Sequence, residues 1–252
     1  MARRRRVIFH IDVNSAFLSW TAVQLMQSGH QDIRLVPSVV SGDPSDRRSI
    51  ITAASIPAKK IGIKTAEPVT MALRKCPNLV VVKGDWEWYR RCSEGFIEIC
   101  RKYSPVLQQF SIDECFIDMS LRNWGEDPVD VATRLKDEVK ATLGFTVNVG
   151  IGSNKLLAKM ASEFEKPDKV HTLWEEEVQE KMWPLDVREL LWVGKKTEEK
   201  LKMYGIRTIG DLAHADRALL RKRLGKHGET IWYFANGRNA DAVTPDPAEN
   251  KG

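Results

Sequence analysis

Three carboxylates stand at positions where a chain would place groups meant to hold a cation. Asp12 closes the apolar run Val7 to Asp12, while Asp113 and Glu114 separate two further runs, Val106 to Ile112 and Cys115 to Met119. The first run reads as a strand buried on both faces, and the other two read as a hairpin with Asp-Glu at its tip. Two-residue hairpin turns prefer Asn-Gly or Asp-Gly, so this tip departs from the local rule, and such departures gather at functional sites. Acids crowded at one sheet edge repel one another unless a cation intervenes. Oxygen-only ligands suit hard ions such as Mg²⁺, which shares its remaining positions with water and phosphate. Two such ions roughly 3.5–4 Å apart support in-line phosphoryl transfer. The plain alternative makes Asp12 a helix cap and Asp113-Glu114 a polar turn; the combination, more than either part, favours the metal site.

The elements that must bring these acids together follow from pattern. Asn14 and Ser15 are placed to cap a helix after the first strand. From Gly29 to Gly84 the pattern breaks into short pieces: strands at Leu35 to Ser41 and Ser49 to Ala54, and small helices at Pro57 to Ile61 and Pro68 to Lys75. A long helix is predicted over Trp86 to Tyr103, with Tyr89, Phe96, Ile97 and Cys100 near one side, ended by Ser104-Pro105. Asp130 to Leu143 carries an apolar stripe and stops at Gly144. Thr146 to Ile151 reads as another buried strand, and Ser153 or Asn154 caps a helix whose Leu156, Leu157, Met160, Ala161 and Phe164 face inward. With the broken segment set aside, the order β-α-β-β-α-β is the ferredoxin-like split βαβ arrangement. In it, the first strand and the strand entering the hairpin are expected side by side, so that Asp12 and Asp113 converge. The fold class is therefore α+β.

After Pro184 the chain turns helical and basic. Between Gly194 and Arg238 eleven Lys or Arg stand against five Asp or Glu, a local charge of +6 in a chain of net +5. Such a segment suits contact with a polyanion; a solvated helix face is the other interpretation that charge alone allows. Leu190 to Thr197 joins two short helices, the second ending at Tyr204-Gly205, and Leu219 to Asn236 with Gly225-Lys226-His227-Gly228 at its centre is a weaker echo. Two helix-hairpin-helix units fit. The tail from Thr244 is expected to be disordered, and Arg3 to Arg6 reads as a solvated end.

The 252 residues are 42% hydrophobic, enough for ordinary packed cores. Apolar stretches fall far short of the roughly 20 residues that cross a bilayer, and no signal-peptide pattern precedes the first strand, which points inside the cell. The four cysteines form no C-x-x-C pair and the five histidines are scattered, so neither a zinc site nor a disulfide framework is expected.

Three segments carry a resemblance: Ile11 to Phe17, Ser111-Ile112-Asp113-Glu114-Cys115-Phe116-Ile117-Asp118, and Val149 to Lys159 with its Asn154-Lys155-Leu156-Leu157-Ala158-Lys159. They resemble the Y-family, lesion-bypass DNA polymerases, in the branch around DNA polymerase IV and its UmuC-like relatives. The resemblance implies a palm at 1–16 and 84–172, fingers at 17–83, a thumb at 173–242 and a tail at 243–252. It implies Mg²⁺, with Mn²⁺ as a substitute, held as two ions by Asp12, Asp113, Glu114 and the carbonyl of Val13. It places the incoming nucleotide against Val13, Asn14, Ser15, Ala16 and Phe17, the last as a steric gate against a 2′-hydroxyl, and against Ile56, Lys59 and Lys166. It places DNA at Ser41, Gly42, Gly194, Lys195, Lys196, Lys226 and Gly228. Primer–template DNA and dNTP are the implied partners, in a cytoplasmic, nucleoid-associated bacterial protein without membrane contact.

Three departures qualify that picture. Ile56 and Lys59 stand where the family commonly has a tyrosine and an arginine; lysine lacks the bidentate fork and isoleucine the hydroxyl, so weaker nucleotide binding is expected. Trp192 replaces the first glycine of the thumb's G-x-G. The sequence also ends before the family's little finger and its sliding-clamp segment, for which weak, salt-sensitive DNA binding is the expected consequence. A nucleotidyl cyclase on the same kind of sheet, or a noncatalytic DNA-binding relative, are the competing assignments; the basic hairpins weigh against the first and the intact acids against the second.

Overall fold

The computed structural model describes residues 5–43, 49–121 and 125–245. Arg3 and Arg4 of the basic run lie outside the described residues, as does the tail beyond residue 245. The start of that tail, expected to be disordered, is instead placed, with Val243 buried beside Ile8 and Phe116 and Thr244 N donating to Gln108 at 3.3 Å. The central sheet has five strands: β1 (Ile8–Val13), β5 (Leu107–Gln109), β6 (Glu114–Asp118), β7 (Val147–Gly152) and β8 (Val170–Leu173), in the order β5-β6-β1-β7-β8. β1 lies antiparallel to both β6 and β7, with Asp12 opposite Glu114 on one side and Asn148 on the other. This is the split βαβ order, extended by β8, which pairs parallel to β7 and which the sequence pattern did not announce.

Two expectations about the hairpin need correction. The neighbour of β1 is the strand that leaves the hairpin, β6, while the entering strand β5 is the outer one. The tip is also wider than Asp-Glu: Leu107 pairs with Ile117 and Gln109 with Cys115, so the turn spans Phe110 to Asp113 and Glu114 already belongs to β6. Phe110 and Ser111 both donate backbone N–H groups to the Glu114 carbonyl, at 3.0 and 3.2 Å. A four-residue connection of this kind has no need of glycine, which removes the apparent breach of turn chemistry.

The two sheet faces are used differently because strand side chains alternate. Phe9, Ile11 and Val13, with Cys115, Ile117, Val147, Val149 and Ile151, point to one side and bury against α4 (Trp86–Tyr103) and α5 (Pro128–Leu143). Tyr89, Phe96, Ile97 and Cys100 are buried as their spacing required, Asp85 caps α4 by accepting from Trp88 N, and α5 stops at Gly144 with φ 75°. The opposite face, bearing Ile8, His10 and Asp12, is covered by α6 (Lys155–Glu163). A Cβ on Gly152 would come within 2.6 Å of Ala158 N, and one on Gly150 would overlap the Ala158 carbonyl; these two glycines let the helix lie on the sheet. Asn154 caps α6, accepting from Leu157 N at 2.9 Å.

Residues between α1 (Ala16–Gln27) and α4 form a second sheet of β2 (Ser38–Ser41), β3 (Ile51–Ala54) and β4 (Val80–Lys83), in the order β3-β2-β4, carrying α2 (Ile56–Lys60) and α3 (Val69–Lys75). Its core is Val39, Ile51, Ala54, Ala58, Ile63, Val69, Ala72 and Leu79. The strand expected from Leu35 begins at Ser38; Ile33–Leu35 is a single 3₁₀ turn capped by Asp32. Nor does Ser15 cap α1 with its side chain: its backbone is left-handed, φ 49°, and it stands exposed at the turn from β1 into α1.

The last part is helical: α7 (Lys195–Met203), α8 (Ile209–His214) and α9 (Arg217–Ala235), packed on α6 through Leu156, Leu157, Met160 and Ala161. α9 breaks at Gly225, φ 67°, which is the expected Gly-Lys-His-Gly hairpin; Gly228 is buried, and any side chain there would meet the Leu220 carbonyl.

Candidate active site

Asp12 ends up beside Glu114 because β1 and β6 are paired residue for residue, and Asp113 follows because its carbonyl accepts from Val13 N at 2.9 Å. The acids therefore share the end of two central strands, as expected, by way of the exiting strand. Their side chains, however, are engaged separately. Asp12 Oδ2 accepts from Lys166 Nζ at 2.7 Å, and Lys166 also reaches Glu163 at 2.8 Å. Glu114 Oε2 accepts from Lys159 Nζ and meets His10 Nε2 at 2.8 Å. Asp113 Oδ1 accepts from the Ser111 hydroxyl at 2.6 Å.

The electrostatics explain these partners. Burial pushes the Asp12 carboxyl up to about 6 despite Lys166, with the negative charges of Glu163 and Asp113 adding to the rise. Burial also works against Glu114, but hydrogen bonds from His10 and Lys159 bring it down to about 2. His10, wholly enclosed, is held below the ordinary histidine value by burial, so a neutral ring donates through Nε2 to Glu114. Its Nδ1 then faces Ser162 Oγ at 2.8 Å. Sequence reasoning missed His10 and Ser162, and it noted Lys159 only as the end of the Asn154-to-Lys159 motif without a role at the acids; the available signal for His10 was that it precedes Asp12 by two and so shares its face.

Among the described residues no three His, Cys, Asp or Glu side chains converge in ligand geometry. The donor chemistry nonetheless fits a hard divalent ion: the three candidate ligands are all carboxylates, with His10 turned to Glu114 as its hydrogen-bond partner, and Asp12 and Glu114 each take an ammonium group as counter-charge. The lysines do here what a cation near these oxygens does.

The nucleotide candidates divide into groups. Phe17 is half-buried in an aromatic cluster, 5.1 Å from Tyr89, 5.4 Å from Trp86 and 5.9 Å from Trp20, which fixes its ring. Asn14, Ser15 and Ile56 line one cavity of about 430 Å³ together with Arg34, Lys140 and Pro167. Val13 and Ala16 are buried, and Lys59 is exposed on α2. Arg34, unremarked in the sequence, is held by Asp32 and donates to the Gly144 carbonyl at 2.9 Å. A larger cavity of about 840 Å³, lined by Asn154, Tyr233 and Arg238 among others, shares none of these residues.

Of the DNA candidates, Lys195, Lys196 and Lys226 are exposed, and Gly194 begins α7. Trp192 is 65% exposed and held at φ 74°, the left-handed conformation that glycine would adopt freely. Gly42 is exposed, but the Ser41 side chain is buried and bonds to the Gly42 carbonyl. Gly228 is buried and serves helix packing.

Sequence comparison then places this geometry. The impB/mucB/samB family matches residues 11–163, and the IMS family HHH motif matches residues 175–206. The chain belongs to the impB/mucB/samB family. This family member is 48% identical over 233 residues to DNA polymerase IV of Clostridium acetobutylicum, a match covering 92% of the chain and 59% of the relative. It therefore spans about three fifths of the length of that relative. Its fold is that of the Y-family polymerases: a Y-family DNA polymerase chimera, Dbh-Dpo4(243-245)-Dbh, superposes with TM-score 0.85 at 23% identity, covering 96% of this chain and 70% of that one. The insertion ternary complex of Dbh DNA polymerase gives TM-score 0.83 at 23% identity, covering 94% and 69%. The Y-family resemblance drawn from the motifs is thus borne out, with a palm, fingers and helix-hairpin-helix thumb architecture. Among the described residues no helix is long and apolar enough to cross a membrane.

Proposed function

We propose that this chain is the catalytic part of a translesion DNA polymerase, joining a dNTP to a primer 3′-hydroxyl with release of pyrophosphate. The observation that carries the reading is the in-register pairing of Asp12 with Glu114, with Asp113 fastened to Val13, at the end of the central strands. Asp12, Asp113, Glu114 and the Val13 carbonyl are the residues to hold two Mg²⁺ ions, or Mn²⁺ in their place. When bound, such ions activate the attacking hydroxyl and neutralise the leaving phosphates. Lys166, already beside Asp12, is the group to bind the triphosphate. Phe17, braced by Tyr89, Trp86 and Trp20, sets a wall against a 2′-hydroxyl.

The five-stranded sheet with α4 to α6 corresponds to the palm (1–16 and 84–172), the three-stranded sheet to the fingers (17–83), and the helices from 173 to 242 to the thumb. Gly194, Lys195, Lys196 and Lys226 offer backbone N–H groups and ammonium groups to DNA phosphates, and Gly42 an exposed backbone, so contact is to the backbone and not to base identity. The test is primer extension with Mg²⁺, the chain compared with Asp113→Ala. Extension by the parent and its loss in the variant is the expected result; equal activity in both removes the assignment of Asp113.

A further inference from the structure

Between α6 and β8 runs the segment that carries Lys166, and its backbone is held largely by two buried amides. Asn148, 0% exposed on β7, donates through Nδ2 to the Ser162 carbonyl at 3.0 Å and the Glu165 carbonyl at 2.7 Å. Its Oδ1 accepts from Asn14 Nδ2 at 3.1 Å and from Lys169 N at 3.3 Å. Asn14 Oδ1 in turn accepts from the Thr146 hydroxyl and from Asp168 N, both at 2.9 Å. The two amides thus grip the chain on both sides of Lys166. Ser162 lies in the last turn of α6, where carbonyls lack helical partners and need donors from elsewhere, and Glu165 follows just beyond the helix end. Asp168 adds a tie on the outer side, accepting from Lys136 at 2.8 Å and Lys140 at 2.7 Å.

The orientation of both amides is dictated by what surrounds them: two carbonyls face one end of Asn148 and two N–H donors the other. An aspartate there would set oxygen against the Ser162 and Glu165 carbonyls, so shape alone does not suffice. Asn148 also stands opposite Asp12 in the β1–β7 register. The same residue that fixes the segment is therefore anchored to the strand that carries the acid, whose Oδ2 lies 2.7 Å from Lys166 Nζ.

We propose that Asn148, with Asn14, is a positioning residue for nucleotide binding: it fixes the segment that carries Lys166 so that the ammonium group stands over Asp12. The inference rests on Lys166 being the triphosphate ligand. The experiment is a double-mutant cycle read by equilibrium titration of a fluorescent dNTP with Mg²⁺ and primer–template DNA, with thermal melting alongside. Asn148→Ala is expected to weaken the nucleotide about tenfold, Lys166→Ala by a similar factor, and the pair no more than about twofold beyond Lys166→Ala alone, because each acts through the same contact. Losses that multiply overturn the positioning role, since a general loss of structure would add to the loss of the lysine. Unchanged affinity in Asn148→Ala overturns it as well. Unchanged affinity in Lys166→Ala removes the lysine's role and this inference with it, while Asp113→Ala in primer extension still tests the acids separately. If Asn148→Ala does not fold, Asn14→Ser enters the same cycle, with about threefold weakening and the same non-additivity expected.

Discussion

Gly150→Ala tests whether the position of α6 on the sheet governs the site. Gly150 lies within β7, and a methyl there would overlap the Ala158 carbonyl and the Ser162 amide and approach Ser162 Cα to 3.0 Å. Carbon contacts are comfortable at about 3.5–4 Å, so α6 has to lift by about 1 Å or bear the overlap. The opposing atoms are backbone and cannot rotate aside, which puts the cost near the upper end of overpacking, about 3 kcal/mol. The same lift stretches the His10 to Ser162 bond from 2.8 Å to beyond hydrogen-bond range and draws Lys159 from Glu114. Urea unfolding followed by tryptophan fluorescence measures the first effect, and primer extension at a temperature where the variant is folded measures the second. Gly125→Ala, at a glycine with open space around it, is the control and should stay near the parent. A Gly150→Ala protein within about 0.5 kcal/mol of the parent, with full activity, would refute the reasoning.

Trp192→Gly should stabilise the thumb by about 0.5–1 kcal/mol, because the left-handed backbone at φ 74° costs tryptophan more than the gain in unfolded-state entropy costs glycine; an unchanged or lower melting temperature counts against strain at that turn. Asp12→Asn, in chelator, should be more stable than the parent at pH 8 and indistinguishable from it near pH 4. A carboxyl raised to about 6 when folded destabilises the native state increasingly as pH rises from the unfolded value of 3.8 to about 6, by about 1–3 kcal/mol above that; a gain that does not vary with pH argues against the burial of this charge. Lys59→Arg should lower the nucleotide concentration for half-maximal extension several-fold by restoring a bidentate fork, and an unaltered value would separate Lys59 from the triphosphate.

Local pattern determined much of this protein without help from tertiary contacts. Helix α4 runs from Trp86 to Tyr103 as its apolar spacing and Ser104-Pro105 stop require, and α5 ends at Gly144 for the same kind of reason. Those signals work because caps, proline and side-chain period act within one turn of backbone. The identity of the neighbour of β1 is a different matter: Val106 to Ile112 and Cys115 to Met119 are both apolar, and which one pairs with Val7 to Asp12 depends on contacts a hundred residues apart. The tertiary structure chose the second, moved the hairpin tip, and added β8 from a four-residue run too short to read. It also supplied what surrounds the acids. His10, Asn148 and Ser162 are ordinary residues in the sequence, and Lys159 stands there only as the end of a motif; they become partners of Glu114 and of the Lys166 segment because Gly150 and Gly152 admit α6 to the sheet. Charge neutralisation at a buried site is set by three-dimensional distance, which spacing along a chain does not encode.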